Sequence, residues 1–513
     1  MSAVEVYLYA ACSTPVTNRP QAGFYELCLE VGREALADMA PRRIDSFYVA
    51  SMDPALYGVT GEVAASLSAE LGLMPKEVLG IRGTSSAGGI GLIPAYKDIA
   101  SGLYDHALVI SCEQMNRVAG RKPTPEQRAQ ERKSVAKLLR GVIDPEERKY
   151  GLTMILMGDL FEKALLRRLN MSKDAFRDTI GDVTMAMYGR AAQYPFAHFY
   201  GKSITREQYD AARWVSPHYR LDDVVPVSTG ACAIVLSSSP PKRPRNGRLV
   251  RLRGFGQGVT HPALTRRRGP VTAAGAVRRA LKELARRTDQ SPSGLRAVDI
   301  GFPHDAFPSI TRTILLTLGF SHEESIAGLV SGRFNPCGGL VKCGHPVGCS
   351  GELQLVRAFQ QLTYDEASIP RAIQRDPADT AFTVSVGAVL TNIVATYLEA
   401  HDASRPPPRR GVEAYDEARF DAELGFARGY ERYAAACGRI APGASVVLSN
   451  TRSELGWVNL LQDGERKTMA LSDDELELGA LVRVDDGGAL ARVGQVLADQ
   501  VEPQLLADLG IVS

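Results

Sequence analysis

Residues 335–351 read NPCGGLVKCGHPVGCSG, and seven of these seventeen residues are glycine or proline. Glycine permits positive φ angles and lets the backbone approach a neighbour closely. His345, held between a glycine and a proline, is therefore expected to have a fixed direction, as an acid–base catalyst or an oxyanion donor requires. Taken alone, the stretch favours the simpler interpretation of a glycine-rich turn with a capping histidine.

Strand-like and helix-like segments alternate around this stretch, from residue 4 to about residue 400. Strand-like runs such as EVYLYAA (5–11) and IDSFYVASM (44–52) are each followed by a segment with the helical spacing of apolar residues. Such alternation predicts an α/β fold with buried sheet strands. A similar order recurs in the second half of the chain, which indicates an internal duplication.

The N-terminal half, 1–240, contains a charged insertion at about 116–200. Its helical sequence, lying between core strands, predicts a cap over a site. The stretch SSSPPKRPRNGRLV (237–250) is rich in proline, serine and basic residues and is typical of a linker. It leads into the second half, 248–400.

A small C-terminal domain is predicted for residues 411–513. The stretch AHDASRPPPRRGVEA (400–414) precedes it, and its three prolines favour an extended linker. A helical segment and several short strand-like pieces follow, including ASVVLSN, LGWVNLLQ, ALVRVDD and ARVGQVLA. These predict a small β-rich domain, for which an OB-like barrel is one candidate.

Composition excludes several classes of protein. The 513 residues carry a net charge of +2, and basic residues form no stripe with interleaved aromatic residues, so nucleic acid is not an expected partner. No apolar run approaches 18 residues, and the N-terminus reads as a first strand, so neither a membrane helix nor a signal peptide is expected. Eight scattered cysteines without a CxxC pair predict reduced thiols in the cytoplasm and no zinc site.

The pattern N-x-x-G-G-x-x-x-x-G-H-P-x-G-x-S-G in residues 335–351 resembles the histidine loop of the thiolase superfamily. Four further segments follow the order of that family: IASGLYDHALVISCEQMN (99–116), MGDLFEKALLRRLNMSKDAF (157–176), LDDVVPVSTGACAIVL (221–236) and HDAF (304–307). HDAF matches the H-D-x-F form of the sterol-carrier-protein-type thiolases, whereas Thr229 stands where the family usually has aspartate. The resemblance spans roughly residues 4–400.

The resemblance implies a thiolase fold, in which two similar βα halves form αβαβα layers. It implies an acyl-CoA or an acyl-carrier protein as substrate, no further cofactor, and a homodimer. His345 matches the histidine that activates the nucleophile and helps to bind the thioester oxygen. His304 matches the residue that forms an oxyanion hole, usually through water, while Asn335 and Gly344 belong to the glycine loop that orients substrate and histidine.

The same resemblance places the nucleophile by counting. The reactive cysteine of the family lies 17 residues before the glycine of IASG, which is Gly102, so its position here is Ser85 in GTSSAGG (83–89). The second cysteine of the family, in a C-x-G triplet, corresponds to Ser385, with Gly387 as the glycine. Both thiols are therefore expected to be absent.

Other residues near these positions have simpler interpretations. Cys343 and Cys349, which flank His345, are interpreted as packing thiols. Pro94 follows the Ser85 segment, and a proline inside a helix removes one hydrogen bond and kinks the axis. The helix after Ser85 is therefore expected to start late or to bend.

A serine can replace a thiol only with help. A free thiol has a pKa near 8.5 and ionises readily beside a cation, whereas a serine hydroxyl needs a general base during attack. His345 is the expected base for Ser85. Ser385 would be a poor base for removing a proton from the α-carbon of an acyl-CoA, which disfavours ordinary carbon–carbon condensation unless the donor loses CO₂.

Three interpretations remain open from the sequence. The first is an acyltransferase that passes an acyl group, through acyl-Ser85, to a heteroatom nucleophile or a decarboxylated donor. The second is a non-catalytic protein that keeps the fold and the acyl-CoA site. The third is a thiolase that forms or cleaves carbon–carbon bonds with another residue as acid–base.

Overall fold

The computed structural model describes most of the chain up to residue 404 and separate segments beyond it. The described residues are 4–39, 43–57, 61–116, 124–267, 272, 274–404, 415, 416, 419, 439, 440, 444–450, 457–462, 465–471, 481–485, 492–498 and 505. The predicted helix after residue 414 and most of the second linker therefore lie outside the described residues.

Strands and helices alternate through the first 400 residues, as the sequence predicts. The strands are β1 Tyr7–Ser13, β2 Ser46–Ser51, β3 Glu77–Arg82, β4 His106–Gln114, β5 Thr229–Ser237, β6 Arg248–Val259, β7 Ile300–Pro303, β8 Thr380–Gly387, β9 Asn392–Asp402, β10 Ala444–Asn450, β11 Trp457–Gln462, β12 Glu465–Leu471, β13 Leu481–Asp485 and β14 Arg492–Ala498. The helices are α1 Phe24–Ala35, α2 Val63–Glu70, α3 Ala87–Ala100, α4 Pro125–Gly141, α5 Pro145–Lys149, α6 Met154–Arg168, α7 Lys173–Ala191, α8 Arg206–Ala211, α9 Gly275–Thr288, α10 Pro292–Arg296, α11 Pro308–Thr317, α12 His322–Ser331, α13 Gly339–Cys343 and α14 Ser350–Leu362.

The first nine strands form one sheet of two related halves. The order is β3-β2-β4-β5-β1-β6-β9-β8-β7, so that β1 and β6 meet at the junction. In each half two parallel strands are followed by two antiparallel ones: β2-β4-β5-β1 repeats as β7-β8-β9-β6. Strand β3 lies beside β2 in the N-terminal half. At the corresponding place beside β7, the C-terminal half has a single parallel β-bridge between Gly301 and Phe334. The predicted α/β duplication is confirmed.

Helices α3 and α14 lie between the two halves of the sheet. Their apolar side chains share one core with strands of both halves, including Leu92 of α3 and Leu353 of α14. Helices α1 and α2 cover the outer face of the N-terminal half, and α9 and α11 cover that of the C-terminal half. The result is the predicted five-layer αβαβα arrangement, in which the N-termini of the two central helices come together.

We call the insertion between β4 and β5, which contains helices α4 to α8, the cap. A buried ion pair and a hydrogen bond tie it to the C-terminal half. Arg312 of α11 pairs with Glu162 of α6, and both side chains are almost fully buried. Lys342 of α13 donates to the Asp222 carbonyl at 2.7 Å. The cap is therefore anchored beside α13, the helix that precedes His345.

The five C-terminal strands form a closed barrel with the order β10-β11-β12-β14-β13. Four of them match strands predicted from the sequence, whereas β12, with the charged sequence ERKTMAL, does not have a strand-like pattern and is found only in the structure. Within the described residues, no helix is long and apolar enough to cross a membrane.

Candidate active site

Ser85 lies in a short elbow between strand β3 and helix α3. The amide of Ala87 donates to the Thr84 carbonyl at 2.9 Å, which closes the turn, and α3 begins at Ala87. The helix begins at Ala87 and continues through Pro94, so of the two expected effects of this proline a late start is wrong, while a bend stays a prediction. The first amides of a helix have no carbonyl partner within the helix and carry partial positive charge, so Ser85 lies where a developing negative charge is stabilised.

His345 contacts Ser85 directly. The Ser85 hydroxyl lies 3.1 Å from Nε2 of His345, although the two residues are 260 positions apart in sequence. Gly344, with φ of +96°, turns the chain into this position, and a Cβ there would overlap Val16. Gly344 is therefore required for the approach of the histidine loop.

The other nitrogen of His345 binds Ser350, a residue that the sequence analysis did not single out. Ser350 Oγ lies 2.7 Å from Nδ1 and also donates to the Pro346 carbonyl at 3.3 Å. When the Ser350 proton is directed to that carbonyl, Nδ1–H donates to Ser350 and the lone pair of Nε2 faces the Ser85 hydroxyl; in the other tautomer Ser350 donates to Nδ1 and Nε2–H to Ser85. Burial lowers the pKa of His345 to about 4, so the imidazole is neutral at neutral pH, as a general base must be.

Two buried side chains hold the histidine loop in place. Glu113, at the end of β4, accepts from the amides of Met52 at 2.7 Å and Gly348 at 2.9 Å. Ser228 accepts from the amide of His345 at 3.3 Å. Both residues lie within segments quoted for the family resemblance, yet only the folded chain reveals which backbone groups they bind.

His304 lies beside His345 at the end of strand β7. The two imidazole rings have centroids 5.3 Å apart and are nearly perpendicular. The backbone amide of His304 donates to the Val384 carbonyl at 2.9 Å, whereas its buried Nδ1 has no hydrogen-bond partner among the described residues. Burial, and then the neighbouring His345, lower the pKa of His304 well below its ordinary value, so it too is neutral.

Asn335 acts on the backbone of this region. Its φ is +52°, and its side-chain amide donates to the Pro303 carbonyl at 3.0 Å, directly before His304. Its own backbone amide donates to the Gly301 carbonyl at 2.8 Å. The amide group of Asn335 therefore orients the His304 segment relative to the glycine loop.

Ser385 occupies a different environment from Ser85. It is 2% exposed, lies on β8 against Gly89 of α3 and Gly351 of α14, and donates to the Val394 carbonyl at 3.4 Å. Within the part of the chain that the structure describes, no hydrogen bond joins it to Ser85, His304 or His345. Its hydroxyl therefore has no base beside it.

Gly387, two residues further on, does reach the Ser85 elbow. A Cβ on Gly387 would overlap the Ser86 hydroxyl, and the amide of Ala388 donates to Thr84 Oγ1 at 2.7 Å. The structure thus brings together Ser85, His345, His304 and the Gly387 segment, with Gly344 as the pivot of the histidine loop. The Ser385 hydroxyl stays in the packing between β8 and the central helices.

The cysteines near His345 are packed thiols. Cys343 donates to the Cys337 carbonyl at 2.9 Å, and burial raises its pKa to about 12. Cys349 lies 3.1 Å from the sulfur of Cys232, and burial raises its pKa as well. Neither supplies a thiolate to the site. Among the described residues, no group of three or more histidine, cysteine, aspartate or glutamate side chains is arranged to hold a metal ion.

Known proteins similar to the chain in sequence or in fold include acetyl-CoA acetyltransferases and an SCP2-thiolase-like protein. No protein-family model matches the chain. An acetyl-CoA acetyltransferase from Methanothermobacter thermautotrophicus is 25% identical over 352 residues, which cover 66% of this chain and 86% of that protein. Two solved structures share the fold with a TM-score of 0.61: the monomeric SCP2-thiolase like protein type 1 of Mycobacterium smegmatis and the Ltp2-ChsH2(DUF35) aldolase.

These two structures differ in how much of the chain they match. The Mycobacterium smegmatis protein is 16% identical and covers 96% of this chain and 99% of its own, whereas the aldolase is 17% identical and covers 79% of this chain and 100% of its own. Fold and site together define a thiolase-fold protein in which a serine and a histidine are paired. The chain is similar in sequence to acetyl-CoA acetyltransferases and in fold to an SCP2-thiolase-like protein.

Proposed function

We propose that the protein is an acyltransferase that takes an acyl group from a CoA thioester, or from an acyl-carrier protein, and passes it to a heteroatom acceptor through acyl-Ser85. The observation that carries the proposal is the 3.1 Å contact between the Ser85 hydroxyl and Nε2 of a neutral His345, whose other nitrogen is fixed by Ser350. A nucleophile, a base and a group that orients the base are the parts that covalent acyl transfer requires.

The first step forms the ester and releases the thiol. Ser85 Oγ attacks the thioester carbonyl while His345 Nε2 takes its proton, and the carbon–sulfur bond then breaks as the leaving sulfur receives that proton. Negative charge that develops on the carbonyl oxygen lies near the N-terminus of α3 and near His304, which is proposed to serve as the oxyanion donor, through water. The reaction needs no metal or other cofactor.

The second step transfers the acyl group to the acceptor. An alcohol, amine or thiol attacks the ester of Ser85, His345 takes the acceptor's proton, and Ser85 leaves and regains a proton from the imidazolium. A heteroatom acceptor is favoured over a carbon acceptor because Ser385 bonds to a backbone carbonyl and has no base beside it. A decarboxylated donor would avoid the need for that base.

The test is incubation of the purified protein with acetyl-CoA and with octanoyl-CoA, followed by intact-protein mass spectrometry and a thiol assay for released CoA. The expected result is a mass increase of one acyl group with one equivalent of thiol released. Added amine and alcohol acceptors should then discharge the adduct. Tight binding of CoA without any adduct would instead establish the non-catalytic, acyl-CoA-binding interpretation.

Carbon–carbon chemistry is a second candidate, because one structural neighbour is described as an aldolase and the archaeal relative as an acetyl-CoA acetyltransferase. It would need a donor whose carbanion forms without proton removal by Ser385. Assays with acetoacetyl-CoA plus CoA, and with acetyl-CoA alone, decide it. Absence of turnover in both directions removes this candidate.

Further expectations concern the assembly, its location and the C-terminal barrel. We propose a homodimer, since β3 is an edge strand on which Leu79 is 44% exposed. Light scattering should give twice the chain mass of 55.4 kDa, and the mass of one chain would refute the proposal.

We also propose a cytosolic location and an OB-like fold for the barrel. Among the described residues, seven cysteines are buried free thiols, as is usual in a reducing cytosol. An OB-like barrel is favoured by the five strands, whose β12 and β14 pair in parallel.

A further inference from the structure

Asp305 is a buried carboxylate next to His304 in sequence and is not used in the mechanism above. It follows His304 directly, and its Oδ1 accepts from the amide of Leu340 at 2.7 Å, in the first turn of α13. Asp305 is 4% exposed. A Cβ on Gly339, whose φ is +68°, would overlap Oδ2 of Asp305, so the glycine is what lets the carboxylate reach the helix.

The hydrogen bond between Asp305 and Leu340 joins two segments that each carry a histidine of the site. The backbone amide of His304 donates to the Val384 carbonyl, which fixes this segment to the sheet. The His304 carbonyl accepts from the Thr311 hydroxyl at 3.2 Å. Helix α13 ends at Cys343 and is followed at once by Gly344 and His345. A change in the contact between Asp305 and α13 therefore changes the position of one histidine relative to the other.

We propose that Asp305 is a positioning residue whose ionised carboxylate sets the separation of His304 and His345 for acyl transfer. Backbone amides bind a carboxylate more strongly than a carboxylic acid, because the hydrogen bond is then charge-assisted. The inference rests on the proposed function, since the separation matters only if both imidazoles act on one acyl group.

The charged groups around Asp305 determine when the carboxylate is ionised. Burial raises the pKa of Asp305 to about 7, against the opposing effects of the amides of α13 and of Arg357 on α14. Arg190 of α7, Lys342 and the thiol of Cys343 also face its charge. His345, with a pKa of about 4, titrates far lower, so the contact is expected to strengthen as the pH rises through 7.

The first measurement does not depend on acyl transfer. Histidine Cε1–H resonances are followed by NMR from pH 5.5 to 8.5 in the wild type and in Asp305→Asn, with His304→Gln and His345→Gln used for assignment. The expected result is that both site histidines shift together with a midpoint near pH 7 in the wild type only. Lys342 has a pKa of about 8, so a transition that survives in Asp305→Asn belongs to another group and overturns the proposal.

The second measurement is the single-turnover rate of Ser85 acylation by acetyl-CoA over the same pH range. The wild-type rate is expected to rise about fivefold between pH 6 and pH 8, and Asp305→Asn to be about tenfold slower and independent of pH. An unchanged pH profile in the variant overturns the inference while the proposed function stands. Resonances that shift as expected without any adduct in the wild type overturn the proposed function and leave the Asp305 contact standing.

If Asp305→Asn does not fold, it cannot be compared with the wild type in either measurement. Asp305→Ser then serves, because its smaller side chain keeps a hydroxyl but has no ionisable group. It is expected to show the same loss of the transition near pH 7. A wild-type profile in Asp305→Ser would equally overturn the proposal.

Discussion

Ser85 and Ser385 stand at the two positions where the resembling family has reactive cysteines, but the fold gives them different neighbours. Ser85 begins the elbow of α3, 3.1 Å from a neutral imidazole. Ser385 is buried against two helix glycines and donates its hydroxyl to a backbone carbonyl. A hydroxyl becomes nucleophilic only with a base beside it, so identical residue types in related halves are expected to differ in reactivity.

The largest expected effect is that of removing the Ser85 hydroxyl. Ser85→Ala should abolish the acyl adduct formed from acetyl-CoA, because it removes the hydroxyl beside Nε2 of His345, whereas the Ser350 hydroxyl lies at Nδ1 on the other side of the ring. The matched control is Ser385→Ala, which should retain at least half of the wild-type acylation rate. An adduct that persists in Ser85→Ala and is lost in Ser385→Ala would reverse the comparison.

Removal of the base comes next. His345→Gln should slow acylation by about a thousandfold, within the range found for general base catalysis. His401→Gln, which changes a histidine on β9 away from the site, serves as the control and should acylate at the wild-type rate. If both variants retain the wild-type rate, His345 is not the base.

The reactivity of a cysteine introduced at position 85 or 385 reports on the environment of each position without the use of an acyl donor. Ser85→Cys lies at a helix N-terminus beside His345, whereas Ser385→Cys lies in packed surroundings that keep a thiol protonated. Iodoacetamide should therefore label Ser85→Cys about a hundredfold faster than Ser385→Cys, as followed by peptide mass spectrometry. The wild-type chain gives the background from its own cysteines, and equal labelling rates would remove the proposed asymmetry.

The neutral state of His345 also has a consequence for stability. Its pKa is about 4 in the folded chain and about 6.5 in an unfolded one, so between these values the unfolded chain binds more protons. The free energy of unfolding should accordingly fall by about 2 kcal/mol from pH 7 to pH 5 through this group. Urea unfolding at both pH values should show that His345→Gln lacks this loss, and an identical decrease in both proteins would contradict it.

The smallest expected effect is that of Ser350, which orients the base. Ser350→Ala removes one hydrogen bond from Nδ1, and at about 1–1.5 kcal/mol this corresponds to roughly a tenfold slower acylation. Ser350→Thr keeps the hydroxyl and should restore most of the rate. A rate equal to that of the wild type in Ser350→Ala would mean that packing alone orients the imidazole.

Most of the fold could be predicted from the sequence, because the patterns that indicate it are local or are long enough to be specific. Alternating strands and helices gave the two halves, and residues 335–351 gave the histidine loop. Other features depend on tertiary packing. Pro94 was expected to delay helix α3 or to bend it, and the helix, packed between the two halves, begins at Ala87 without delay. Strand β12 has a charged sequence and becomes a strand only through pairing with its barrel neighbours.

Within the site, the sequence identified residue types and the structure decided which of them meet. Counting from Gly102 placed Ser85 at the nucleophile position, yet its contact with His345 spans 260 residues and depends on the close approach of the N-termini of α3 and α14. Ser350, Glu113 and Asp305 were not singled out because their roles consist of bonds to groups distant in sequence or to backbone amides.

What the sequence determined by itself is the α/β duplication and the presence of a serine, two histidines and a glycine loop in the order of the thiolase superfamily. What only the tertiary structure decided is that one serine lies beside an imidazole and the other beside a backbone carbonyl. The physical reason is that reactivity depends on distances of about 3 Å between side chains, and these are set by how the two halves pack.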